Sequence, residues 1–151
     1  VSAGTLLVSG ALGDTAVSVA SGATIGAGDV DGGSLGGDLF LASGSLLDVT
    51  NGLLTVASGK TVSFGNFDFT NLVGFDVYSA MIGTYTMLEG DFTLDSTNLA
   101  YFGEVNALDL ENGNKAWFSE GSLTVNIAAI PEPSAALLGG LGLLGLLRRR
   151  R

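Results

Sequence analysis

The side chains able to do chemistry are few and mostly of one kind. The 151 residues contain no His and no Cys, which removes thiol nucleophiles, disulfides, Ser-His-Asp triads and His-ligated zinc. Carboxylates remain. Ahead of residue 131, fourteen Asp and Glu are balanced only by Lys60 and Lys115. Two carboxylates can hydrolyse a glycosidic bond when a cleft holds them at the right separation. Spacing along this chain places no pair across a cleft, so no catalytic residue is assigned and no enzyme is expected. The run Gly28-Asp29-Val30-Asp31-Gly32-Gly33 looks like the start of a calcium loop. Calcium needs about six to eight oxygens, and the later acidic ligands and tandem copies are missing. A turn with solvated aspartates is the expected reading, with no metal or cofactor. Gly26 to Gly33 lacks the lysine of a phosphate loop. The acidic surface repels nucleic acid and anionic membranes and favours solubility.

The other residues with a chemical use are those a processing enzyme would read. Pro131-Glu132-Pro133-Ser134 is followed by thirteen residues, 135–147, that are all Ala, Leu or Gly, and then by Arg148, Arg149, Arg150 and Arg151. Each proline fixes its own φ and biases the residue before it away from the helical region. The motif is therefore expected to be extended, as a protease requires. As a helix the apolar run is roughly 20 Å long, against about 30 Å for a bilayer core. Snorkelling arginines and local thinning close part of that gap. The four arginines act as a stop-transfer signal and keep the C-terminus cytoplasmic. A soluble core helix would be weakened by its glycines and would not end in four arginines; a signal peptide carries its charges first.

In these residues the chain resembles the PEP-CTERM sorting signal of Gram-negative bacteria, which has a Pro-Glu-Pro motif, an apolar helix and a terminal arginine cluster. The resemblance implies an exported protein, held transiently in the inner membrane by a C-terminal transmembrane helix. It also implies recognition and cleavage by exosortase, a membrane-embedded transpeptidase, and release to the cell envelope, surface or extracellular matrix. Carriers of the signal are often associated with exopolysaccharide and biofilm, so extracellular polysaccharide is an expected partner. An exported chain also needs an N-terminal signal, and none opens this sequence at Val1; the expectation is a fragment or mature piece of a longer protein.

The elements that must carry this tail read as all-β. Glycine supplies 24 residues, and apolar residues come in short alternating bursts punctuated by Gly and Ser. Ala-Ser-Gly recurs at 20–22, 42–44 and 57–59, with a weaker copy at Ser9-Gly10. Small corner residues permit a sharp turn. Period-two alternation then points Leu39, Leu41, Leu47, Val49, Leu54, Val56, Val62 and Phe64 inward, with Asp38, Asp48 and Lys60 outward. Stacked rungs bury a core that no single rung could, and the expected architecture is a right-handed parallel β-helix. The run 39–64, with its Ala-Ser-Gly corners, is also similar to the autotransporter-associated β-strand repeat, which implies a β-helical stalk; the autotransporter export route does not carry over.

From Phe64 onward aromatics become frequent. Candidate strands run 83–89, 92–94, 99–102, 107–111, 115–118 and 123–127, with Asn112-Gly113 as a two-residue hairpin turn and a short helical turn within 72–80. The aromatics read as the core of an antiparallel meander that caps the stack, or as a sugar-binding face. The expected organisation is a β-helix region at 1–71, a β-rich cap at 72–128, the PEP motif and linker at 129–134, and the transmembrane helix with its Arg-rich tail at 135–151. The expected function is an exported structural or adhesive surface protein; the alternative is a carbohydrate-binding or carbohydrate-active β-helix protein.

Overall fold

In the computed structural model of the protein, residues 1–131 are described. They form an all-β fold whose first part is a solenoid. The first coil supplies β1 (Thr5–Val8), β2 (Ala11–Leu12) and β3 (Val17–Val19). The second supplies β4 (Thr24–Ala27), β5 (Gly33–Leu35) and β6 (Leu39–Leu41), and the third β7 (Leu46–Asp48), β8 (Leu54–Val56) and β9 (Thr61–Phe64). Each strand pairs in parallel with its counterpart one coil on, giving three sheets along the solenoid axis. Ile25 lies beside Leu6, Leu47 beside Ile25, and Leu72 beside Leu47, so successive coils take 19, 22 and 25 residues.

The parallel stack continues past residue 71. A fourth pass supplies β10 (Leu72–Val73), β11 (Gly83–Glu89) and β12 (Thr93–Asp95), which pair in parallel with β7, β8 and β9. About three full turns thus carry the chain from β1 to β10. The change of composition near Phe64 is a change of core filling, since strand pairing carries on through it.

The corners explain why the repeat looks irregular in the sequence. In each Ala-Ser-Gly turn the residue after Gly donates its N–H to the Ala carbonyl, at 3.0 Å for Ala23 to Ala20, 2.9 Å for Ser45 to Ala42 and 3.3 Å for Lys60 to Ala57. Gly22, Gly44 and Gly59 have φ of 75°, 75° and 74°, the left-handed value that a type II turn requires at its third residue. The tripeptides at 20–22 and 42–44 occupy the same corner in successive coils. That at 57–59 joins β8 to β9, and Ser9-Gly10 joins β1 to β2. The same turn serves two different corners, so only the 22-residue interval is a coil length.

The interior is a set of in-register apolar columns. Leu39, Leu41, Leu47, Leu54, Val56, Val62 and Phe64 are all buried, as the pleat predicts. Val49 is half-buried against the same core. Asp38 is exposed, while Asp48 and Lys60 are half-buried; Lys60 reaches back along the solenoid surface to Asp14 at 2.5 Å. Complete burial of a Leu or Val is worth roughly 1.5–3 kcal/mol each, and the columns are fully covered from the second coil on, where Ile25, Leu35 and Leu39 succeed the partly buried Leu6, Leu12 and Val17.

After β12 the pairing changes sense. β13 (Leu108–Asp109), β14 (Asn114–Ser119) and β15 (Leu123–Ala129) pair antiparallel in succession, and β15 pairs antiparallel with β11. β11 therefore lies between the parallel and antiparallel parts, with its register shifted between Thr86 and Leu88. Three local expectations differ. The segment 99–102 forms only isolated bridges, from Leu99 to Phe67 and from Phe102 to Phe118, because Tyr101 has φ 55° and breaks the extended run. Leu110 donates to the Asn114 carbonyl at 3.0 Å, so three residues, Glu111 to Gly113, close the hairpin. Leu72 and Val73 are strand, and the helical turn is the single bond from Ala80 N–H to the Asp76 carbonyl. Among the described residues no helix is long and apolar enough to cross a membrane. The expected transmembrane helix at 135–151 lies outside the described residues.

Candidate functional site

The sorting segment leaves the fold from its last strand. β15 runs through Ala129, which pairs with Asn114, and Ile130 donates its N–H to the Gly113 carbonyl at 2.8 Å. Pro131 has no N–H to continue the ladder, and it is exposed. The motif thus begins two residues past the last strand residue, Ala129. Glu132, Pro133, Ser134 and Arg148 to Arg151 lie outside the described residues.

The second candidate site is a cleft of about 300 Å³ at the end of the solenoid, whose lining includes Asp68, Phe69, Phe75, Asp76, Tyr78 and Tyr101. Three elements build it. Asp68 caps a 3-10 turn, Phe69–Asn71: its Oδ1 accepts from Thr70 N–H at 2.7 Å and Thr70 Oγ1 at 2.5 Å, while Asn71 Oδ1 accepts from Asp68 N–H at 2.8 Å. This capping box satisfies the orphan donors of the turn. The excursion between β10 and β11 brings Phe75, Asp76 and Tyr78, and the loop after β12 brings Tyr101.

The rings are ordered from core to surface. Phe118 is fully buried and stacks on Phe69 at 4.5 Å, and Phe69 stacks on Tyr101 at 5.4 Å with ring planes 2° apart. Tyr101 is half-buried and ends the column at the cleft. Its left-handed φ is uncommon for a bulky residue. The bonds from Phe118 N–H to the Tyr101 carbonyl and from Gly103 N–H to the Phe118 carbonyl, both 2.9 Å, hold it there. Tyr78 stands 62 % exposed at the rim. Phe64, Phe67, Phe69 and Phe118 are core. Trp117 is half-buried, with the Lys115 ammonium 5.6 Å from its ring centre.

The charges at the cleft are of one sign. The Ser79 hydroxyl and the backbone N–H of Tyr78 hold the Asp76 carboxyl below its ordinary value, so it is ionised at neutral pH. Among the described residues, Asp68 uses only Oδ1 in hydrogen bonds, and Asp76 Oδ1 accepts the Tyr78 N–H at 3.0 Å. Neither is in an ion pair there, since Lys60 pairs with Asp14 and Lys115 with Glu104.

Asp29 and Asp31 lie in the corner between β4 and β5, where Asp29 Oδ1 accepts from the Asp31 N–H at 3.1 Å. That is the geometry of an Asx turn. No group of three or more potential metal ligands converges among the described residues. The sequence marked the cleft's aromatics only as a class and did not mark Asp68 or Asp76. The one local signal was Asp68 three residues before Asn71, which reads as a cap.

Among known proteins, the PEP-CTERM protein-sorting motif matches residues 129–151. That motif implies an exported chain that crosses the membrane to the cell envelope and is processed by exosortase. No curated protein and no solved structure matches the chain.

Proposed function

We propose that this is a structural or adhesive protein of the cell surface or extracellular matrix, displayed as a β-solenoid and released by cleavage at its C-terminal PEP motif. The single observation that carries the reading is that β15 stops at Ala129 and the first residue of the sorting motif, Pro131, is exposed. A processing enzyme acting at the motif would cut beyond β15 and leave its hydrogen-bonded ladder intact. In this reading the antiparallel strands β13 to β15 close one end of the stack, protecting part of an edge that would otherwise pair with other chains. The apolar run of 135–147 supplies the temporary anchor and Arg148 to Arg151 set its orientation.

The test is mass spectrometry of the mature C-terminus, expressed in a host with exosortase and in the same host without it. The expected result is a chain ending near residues 131–134 in the first host and at Arg151 in the second. Replacing Pro131 and Pro133 by Ala frees the motif to join the helix, and export should continue while cleavage stops. A wild-type chain that still ends at Arg151 beside active exosortase overturns the reading and leaves the tail a plain anchor.

The cleft favours a second reading, that the displayed fold binds carbohydrate. Aromatic rings at the rim offer flat apolar faces to a sugar, and Asp68 and Asp76 are acceptors for its hydroxyl groups.

A further inference from the structure

We propose that the cleft bounded by Phe69, Phe75, Tyr78 and Tyr101 binds a glycan bearing protonated amines, an amino-sugar polymer, with Asp68 and Asp76 facing the ammonium groups. The inference rests on the carbohydrate reading and narrows it to a cationic ligand.

Charge is the first ground. Two carboxylates line a partly apolar cleft, and neither has a counter-cation among the described residues. Asp68 keeps one oxygen, Oδ2, without a hydrogen bond there, and the exposed Asp76 carboxyl is held only by Ser79 and Tyr78. A ligand that supplies the missing positive charge gains charge-assisted hydrogen bonds, which are roughly twice as strong as neutral ones. A neutral sugar offers only hydroxyl donors. The chain as a whole carries −9, which attracts a polycation from a distance and repels an anionic polymer.

The rings are the second ground. An aromatic face attracts an ammonium within about 6 Å of its centre, more strongly when water is excluded. Three rings, Phe75, Tyr78 and Tyr101, and two carboxylates around one cleft combine that attraction with direct ion pairing, while Phe69 backs Tyr101 from the core. The stacked column Phe118–Phe69–Tyr101 reaches the cleft with Phe69 and Tyr101 parallel to within 2°, so a further ring-shaped group on Tyr101 would continue the stack. This favours a saturated sugar ring carrying an amine over an extended lysine chain. The volume of about 300 Å³ sits at the small end of ligand sites and suits a single ring-sized group per cleft, with the rest of the polymer running along the surface.

The experiment is calorimetric titration of the full chain in detergent micelles, at physiological salt. The probe is a fully deacetylated glucosamine tetrasaccharide, compared with its fully N-acetylated counterpart, which has the same rings and no amine charge. The expected result is saturable binding of the deacetylated probe, at least about tenfold tighter than the acetylated one. Replacing Asp68→Asn with Asp76→Asn, or Tyr78→Ala alone, should weaken binding at least about tenfold while the circular dichroism spectrum is unchanged. Replacing Asp31→Asn with Glu120→Gln removes the same charge elsewhere and should leave binding as it was. Equal losses in the two double variants would show a diffuse attraction and overturn the site. Equal affinity for both probes would overturn the cationic ligand and keep the carbohydrate reading. Binding of neither probe would overturn both.

Discussion

Gly22 donates its backbone N–H to the carbonyl of Gly44 at 2.9 Å, so two Ala-Ser-Gly turns 22 residues apart sit one on the other. Both glycines have φ 75°, which L side chains adopt at a cost. At Gly44 an added Cβ would also lie 2.9 Å from Ser21 Oγ. Gly44→Ala should therefore destabilise by about 1 kcal/mol or more, read as a lower urea midpoint. At Gly13, where an added Cβ meets nothing and φ is not left-handed, the same replacement should be neutral or slightly stabilising.

One coil position invites improvement. Ser45 is fully buried, and its Oγ has no hydrogen-bond partner. Ala23 holds the equivalent place after the Ala-Ser-Gly turn of the previous coil and is equally buried. A buried hydroxyl without a partner costs about 1–3 kcal/mol. Ser45→Ala should raise the urea midpoint, while Asn71→Ala, which removes the 2.8 Å bond from the Asn71 amide to the Ser45 carbonyl, should lower it. A drop in stability for Ser45→Ala would show that the hydroxyl is satisfied.

The columns make a sharper claim about register. Leu54 is 1 % exposed, and its neighbour Thr55 is exposed. Leu54→Ala should cost about 2–5 kcal/mol, and Thr55→Ala at most about 0.5 kcal/mol. Chemical denaturation of both variants checks it. Similar costs at the two positions would mean that β8 is turned over, because a slip of one residue exchanges the two faces.

Stability should hold over a wide pH range. The Thr97 hydroxyl and backbone N–H hold Asp95 below its ordinary value of 3.8, and Ser79 and Tyr78 do the same for Asp76. A depressed carboxyl contributes stability that is fully present above its unfolded pKa and is lost as pH falls through the folded value. That loss should appear below pH 3.8. Lys60 is raised above 10.5, first by its hydrogen bond to Asp14, so its contribution is present below that value and is lost as pH rises through the higher folded pKa. Urea midpoints measured across pH should show a plateau between these limits. Thr97→Val should shrink the acid-side fall.

Much of this was legible in the chain itself. Alternation about Leu39, Leu54 and Val62 is enough to specify strands with one buried face, because the pleat leaves a side chain only two directions. Gly22, Gly44 and Gly59 announce turns because only glycine takes positive φ without strain. The address at 129–151 was readable because Pro-Glu-Pro, an apolar run and arginines act through local composition and order. Tertiary structure decided the rest. Which corners stack was hidden, since an identical tripeptide closes two different corners and its spacing mixes them. That the coil passes residue 71 was hidden too, because parallel partners such as Leu47 and Leu72 are 25 residues apart and no local signal ties them. The cleft is the extreme case. Asp68, Asp76 and Tyr101 meet only because a corner, an excursion and a late loop converge at one end of the solenoid, and convergence between distant segments leaves no periodic trace in a sequence.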